Sequence, residues 1–271
     1  MPFTFSHPAA VLPLRRRFKA LQTVPLIIGS VAPDLPYYWP SRLNRNTPSW
    51  LYHFTLDTHT FAGAVWADVP IGMATLLLVF LLRQPLTALL APRARTLCLE
   101  SVEHFRRQPL HWLLAPLAIL VGTWTHLLWD SFTHDNGFMV RRVAALSAPV
   151  NIGSYTGTMC HVMQYVSSVA GLLILWIWYR RLPTPAGEPP GASTLSLGKR
   201  TLLLVLICVA AAAVGAYRSF EAAMGDASTY RVIYVLLVRS ITWFALLYLA
   251  VGLLVTFTHR RPEPVVETQT R

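Results

Sequence analysis

Apolar residues in this chain are gathered into long runs and not spread at amphipathic spacing. The runs at 61–82, 110–130, 162–179, 201–217 and 232–257 are each close to the ~20 residues a helix needs to cross ~30 Å of hydrocarbon. A spanning segment must satisfy its own backbone, and the weak alternation of a barrel strand is missing, so the pattern predicts helices. The expected fold class is therefore all-α: a polytopic integral membrane protein with about five transmembrane helices.

Ahead of the first run lie two shorter apolar pieces, 7–18 and 22–33, separated by Arg15, Arg16, Arg17 and Lys19. Neither is long enough to span as a straight helix. Pro8 suits a first helical turn, Pro13 should kink the first piece, and Pro33 should stop the second. The reading is a short helical hairpin that dips into or lies on the membrane. A hairpin returns the chain to its starting level, which brings His7 and Asp34 to the same end. The opening residues do not form a secretory signal, because the basic cluster follows the apolar stretch and a small-residue cleavage site is lacking.

Composition agrees: of 271 residues, 54% are hydrophobic and 13% charged. Charge also orients the spans. On the side opposite the hairpin tip stand Arg42, Arg45, Arg141, Arg142, Arg218 and Arg231, while Arg239 falls inside a span. The other sixteen of the 23 Lys and Arg residues gather at the tip, in the 83–109 and 180–200 loops and in the tail. Positive loops stay in the cytoplasm. The net charge of +11 thus reads as anchoring charge facing anionic membrane lipid, with no nucleic-acid partner implied and no protein partner indicated.

The Pro/Gly/Ser-rich stretch within 181–200 reads as a cytoplasmic linker. It separates a membrane domain, 1–180, from two further spans in 201–258, and 259–271 is a polar tail. Cys98, Cys160 and Cys208 stand in different segments, so they read as small apolar fillers and not as a disulfide or thiolate metal framework. Neither a nucleophile elbow, a P-loop, a dinucleotide fingerprint nor a His-Glu-x-x-His motif occurs.

The chemistry lies in GTWTHLLWDSFTH, where His126, Asp130 and His134 recur every four residues at the end of a span. Ionisable groups are costly there, which favours ligation or proton handling over packing. His126 and Asp130 share a helix face and suit a divalent metal. On an unbroken helix His134 would stand ~12 Å from His126 along the axis, too far to share an ion. Either Asp130 bridges two metals, or the helix ends near Ser131 and the following DNG lets His134 fold back. His7, Asp34, His53, Asp57, His59, Asp135 and His161 fall on the same, extracytoplasmic side. His7, Asp34 and His59 could instead serve as helix caps. The mixture of imidazole and carboxylate suits zinc, with manganese, iron or nickel also accepted. Arg239, about two turns inside the last span, could snorkel, pair with a carbonyl or meet a substrate phosphate.

The segments MPFTFSHPAAVLPL, IGSVAPDLPYY, THTFAG, GTWTHLLWDSFTH and QYVSSVAGLL resemble a family of bacterial multi-pass membrane proteins catalogued as domain of unknown function 4184. That family in turn resembles membrane-bound metal-dependent hydrolases. The resemblance implies a ligand set of His7, Asp34, His59, His126 and Asp130. Thr58 stands where Ser is usual before the third of these. The pattern is remotely similar to that of zinc-dependent phospholipases C.

Together these readings lead us to expect a divalent-metal hydrolase in a bacterial cytoplasmic membrane. Its metal would be held by His7, Asp34, His59, His126, Asp130 and His134, with Asp130 and His134 taking part in catalysis, and it would act on a phosphoester of a lipid or prenyl phosphate. The alternatives are a metal-ion or proton transporter and a protein with a purely structural metal. The topology can be checked by cysteine labelling in intact cells. Positions 34 and 134 should be reached by a membrane-impermeant reagent from outside, and positions 95 and 188 only after permeabilisation. Labelling of 34 and 134 from opposite sides would exclude a common site.

Overall fold

A computed structural model describes residues 3–18, 20–38, 57–153, 155–183, 195–225 and 229–258. His53, most of the Pro/Gly/Ser-rich linker and the polar tail lie outside these residues. The described chain is nearly all helix. Five helices are long and apolar enough to cross a membrane: α3 (Phe61–Leu81), α5 (Pro109–Asp130), α6 (Met159–Arg181), α7 (Leu197–Met224) and the Arg231–Thr258 stretch of α8 (Thr229–Thr258). Their burial is inside-out relative to a water-soluble bundle. Leu113, Leu128, Val166, Trp176, Val209 and Phe257 face outward, whereas His7, Asp34, Asp68, Thr123 and His126 are enclosed. Exposed apolar surface on this scale is what a membrane-spanning protein presents. The chain is a multi-pass membrane protein.

The hairpin ahead of the spans consists of α1 (Pro8–Arg17) and α2 (Thr23–Val31). Pro8 takes the first-turn position and Pro13 is carried inside α1. Pro33 ends the α-helical geometry less abruptly than expected, because the chain continues as a tighter 3-10 turn over Ala32–Tyr38. An amphipathic helix α4 (Pro92–Arg106) precedes α5. The polar connection after α5 holds the departure from an all-helical chain, a two-stranded antiparallel hairpin of β1 (Pro149–Ile152) and β2 (Tyr155–Thr158). Its turn passes through Gly153 at φ +58°, a left-handed conformation that glycine adopts without a Cβ clash.

The chain forms two compact units: Met1–Pro36, Ser41–Leu77 and Phe105–Pro183 in the first, Tyr37–Pro40, Leu78–His104 and Thr184–Arg271 in the second. The second gathers α7, α8 and the 78–104 segment. It is built around Ala88, Leu89, Ile207 and Val255, with Tyr248 Oη donating to the Leu86 carbonyl at 2.9 Å and the buried Arg200 donating to the carbonyls of Leu195 and Leu90.

In the first unit α2 lies against α5, and glycines set how closely. A Cβ at Gly29 would overlap the Ile119 carbonyl, and one at Gly122 would overlap the Leu26 carbonyl. Small residues that let helix backbones touch are a usual device of membrane helix packing. Thr123 Oγ1 donates across the contact to the Gly29 carbonyl at 3.2 Å, and Val11, Leu26 and Ala118 close the apolar core beside it. Helix α6 supports the other flank. Ser168 Oγ accepts from the Phe3 amide, Ser167 Oγ accepts from Trp129 Nε1, each at 3.0 Å, and Gly171 lies against Ser6.

Gly122→Val should therefore force α2 from α5. Overpacking costs roughly 1–3 kcal/mol where side chains can yield. Here the obstacle is backbone, so the loss should lie at the upper end of that range, read as a lowered Tm in detergent. Gly198→Ala, where a Cβ meets nothing, should leave Tm unchanged.

Candidate metal centre

Five of the six side chains singled out in the sequence converge in the first unit, and the sixth, His134, stands outside the converging donor groups at their edge. Each arrives by a local device. His7 occupies the N-cap position of α1 yet makes no side-chain cap bond; its ring is fully buried and stacks on His126 with centroids 3.8 Å apart and planes 19° from parallel. Asp34 sits in the 3-10 turn that extends α2, and Thr4 Oγ1 donates to its Oδ2 at 2.6 Å, which leaves Oδ1 facing inward. His59 ends the tight turn Asp57–His59. Capping of α3 falls to Thr60, whose hydroxyl accepts from the Gly63 amide and donates to the Asp57 carbonyl, both at 2.9 Å. None of the three serves as a side-chain cap in the way that was open from sequence.

His126 and Asp130 come from the last turns of α5. His126 Nδ1 lies 2.9 Å from the Ser30 carbonyl. A carbonyl only accepts, so Nδ1 carries a proton and Nε2 is the nitrogen left to ligate, the orientation typical of a metal-ligating histidine. The helix ends at Asp130. In the turn that follows, His134 folds back until its Nδ1 is 3.2 Å from the Asp130 carbonyl and 3.8 Å from Asp130 Oδ2. The helix end expected near Ser131 is present, with His134 on the rim and its Nδ1 turned toward α5.

The inward atoms stand at characteristic separations. His7 Nε2 is 3.5 Å from Asp130 Oδ1, His59 Nε2 3.3 Å from Asp34 Oδ1 and 3.9 Å from Asp130 Oδ2, and His126 Nε2 3.3 Å from Asp130 Oδ2 and 3.7 Å from Asp34 Oδ1. These exceed the 2.7–2.9 Å of a charge-assisted hydrogen bond. Donors bound at ~2.1 Å to one ion would lie about 3–4 Å from each other. Among the described residues neither ring nitrogen of His7, nor His126 Nε2, Asp34 Oδ1 or Asp130 Oδ1, has a hydrogen-bond partner, although all are buried. Buried polar atoms are ordinarily paired. Two overlapping trios, His7–Asp34–His126 and His59–His126–Asp130, each offer one donor atom apiece within 4.8 Å of one another.

The local electrostatics set the charge of the surrounding groups. Burial, with His126 opposite, pushes His7 down to about 3, so it stands as neutral imidazole. Burial raises Asp34, but His59, His126 and the Thr4 hydroxyl outweigh it and hold the carboxyl below its usual range. Burial also lowers His134.

One neighbouring residue escaped the sequence reading. Asp68, in a π-helical turn of α3 (Ala64–Asp68), is fully buried and neither of its oxygens accepts a hydrogen bond among the described residues. A lone Asp in an apolar run was the available signal. Asp135 and His161 do not join the central cluster; they form a separate group with Cys160. Arg239 lies half-buried on α8 in the second unit.

Comparison with known proteins gives one result, a match over residues 1–257 to a domain of unknown function, DUF4184. The chain belongs to this family. No curated protein and no solved structure matches it. The family carries no assigned activity, so function must be argued from the site.

Proposed function

We propose that this DUF4184 protein is a membrane-embedded metal-dependent hydrolase that cleaves a phosphoester of an amphiphilic substrate, a lipid or prenyl phosphate. One observation carries the reading. Imidazole and carboxylate atoms from four separate stretches of chain converge at 3.3–3.9 Å, and among the described residues His7 Nε2, Asp34 Oδ1, His126 Nε2 and Asp130 Oδ1 have no hydrogen-bond partner, in surroundings where burying such atoms unpaired is costly.

His7, Asp34, His59, His126 and Asp130 fit a divalent transition metal, zinc by donor type, with manganese or iron accepted by the same atoms. The two trios share His126, and with Nδ1 committed to Ser30 it has one nitrogen to give, which favours a single ion where the trios overlap. Such an ion supplies Lewis acidity toward a phosphoryl oxygen and brings the pKa of water toward neutrality. Thr4 and the Ser30 carbonyl hold Asp34 and His126 in orientation. His134, steadied through Nδ1 by Asp130, would exchange a proton with the leaving oxygen.

Access separates catalysis from a structural staple. His7, Asp34 and His126 form an enclosed wall, whereas the side chains of His59 and His134 are 28% and 32% exposed. A structural site is usually closed, while a catalytic one keeps an open position. The open edge lies at the end of α5 that the charge asymmetry assigns to the extracytoplasmic face of a bacterial cytoplasmic membrane. An amphiphilic substrate reaches that level directly from the bilayer.

Protein purified in detergent without chelator should carry close to stoichiometric transition metal. His126→Ala and Asp130→Ala should lose it, and His104→Ala, on the exposed face of α4, should retain it; metal-free protein that neither zinc nor manganese stabilises would refute the centre. Metal-loaded protein should release phosphate or a phosphorylated headgroup from lipid or prenyl phosphates in micelles, and Asp130→Asn should reduce this at least about 100-fold. Intact substrates, together with metal flux in liposomes that Asp130→Asn abolishes, would replace hydrolysis with transport.

A further inference from the structure

We propose that Asp135, Cys160 and His161 form a second metal site, selective for zinc, that clips the loop carrying His134 to the start of α6. Asp135 lies 25 residues before the adjacent pair Cys160 and His161, and from sequence Cys160 passed as an apolar filler. The fold brings them together. Asp135 stands in the polar turn after α5, next to His134, while Cys160 and His161 occupy the first turn of α6. One donor atom from each lies within 4.8 Å of the others.

The carboxylate divides itself between the two partners. Asp135 Oδ2 is 3.1 Å from His161 Nε2 and Oδ1 is 3.4 Å from Cys160 Sγ. Thr158, the N-cap residue of α6, makes no side-chain cap bond. Its hydroxyl turns to the same group, 3.0 Å from Cys160 Sγ and 3.4 Å from Asp135 Oδ1.

Donor chemistry identifies the ion. A hard carboxylate alone would suit calcium or magnesium, but thiolate and imidazole beside it select a borderline-soft ion, and zinc takes all three types in four-coordinate sites. Cys160 is buried against Val140 and Leu146, so the loop folds over the thiol and would be pinned by it. Asp135 and His161 keep side-chain exposures of 61% and 37%, which leaves room for a fourth ligand from water. The consequence is positional: fixing Asp135 fixes its neighbour His134 on the rim of the first centre. This assignment does not depend on the hydrolase reading, and only this site contains sulfur.

Cobalt(II) exploits that difference, because thiolate ligation gives a charge-transfer absorption that His/Asp ligation lacks. In full-length chelator-stripped protein carrying Cys98→Ala and Cys208→Ala, cobalt should produce the band. It should persist in Asp130→Asn and vanish in Cys160→Ala. Asp135→Asn, at an exposed position that folding tolerates, should weaken cobalt binding by at least about tenfold. Zinc should slow alkylation of Cys160 by a similar factor. Absence of the band, with alkylation of Cys160 indifferent to zinc, would reduce the group to an ordinary Asp135–His161 ion pair and overturn the proposal. Loss of the band in Asp130→Asn would place the thiolate signal in the first centre and overturn it equally. A failed first centre, by contrast, would show as absent His126-dependent metal with the cobalt band intact.

Discussion

The centre depends on the backbone contact between α2 and α5. Gly29 and Gly122 let the two helices approach until a Cβ on either would overlap a carbonyl of the other. Only at that distance can the Ser30 carbonyl accept from His126 Nδ1, and that bond turns Nε2 toward Asp34 and Asp130. Hydrophobic burial supplies little association between helices inside a bilayer, so close packing and hydrogen bonds between helices must do so. The same contact that joins the hairpin to the spans therefore aims His126 Nε2 at the two carboxylates.

Polar groups in this unit differ in how they are satisfied, and the difference points to their roles. Thr4, Ser167, Ser168 and Thr123 each complete a hydrogen bond within the protein; they hold elements in place. The inward atoms of His7 and His126 stand 3.5 and 3.3 Å from Asp130 without completing such a bond. A buried polar atom without a partner is costly by about 1–3 kcal/mol, more when charged. Unpartnered atoms of His7, Asp34, His126 and Asp130, gathered at that cost from the hairpin and the end of α5, are better explained by a shared ligand than by packing.

The spans were legible because hydrocarbon demands length and apolarity, and both are written plainly in runs of ~20 residues. The meeting of His7 with Asp34 was legible for a geometric reason: a hairpin returns the chain to its starting level. Other features were not legible. Asp68 looks like an isolated polar interruption in a span, and only the π-helical turn shows it fully enclosed. The partners of Asp135 lie 25 and 26 residues onward, across a loop whose β-hairpin leaves only a weak local pattern. Thr60 took the capping role that His59 could have filled, a competition settled by Gly63, whose missing Cβ admits the Asp57 carbonyl. The 78–104 segment groups with α7 and α8 through contacts such as Tyr248 with Leu86, contacts between residues too distant for spacing to reveal.

His134 stands between the His/Asp cluster and the Asp135–Cys160–His161 group and links them mechanically. Its Nδ1 is held by the Asp130 carbonyl, at the end of a helix, where backbone acceptors are free to be used by side chains. That bond alone leaves the imidazole on a polar turn with about a third of its side chain exposed. The next residue, Asp135, is tied to the first turn of α6, and α6 is itself anchored to Trp129 on α5 through Ser167. His134 is thus restrained from both sides, by the helix it follows and by the helix its loop is fastened to. A residue meant only to fill the rim would need neither restraint, whereas one that transfers a proton needs its ring held at a fixed distance from the reacting group.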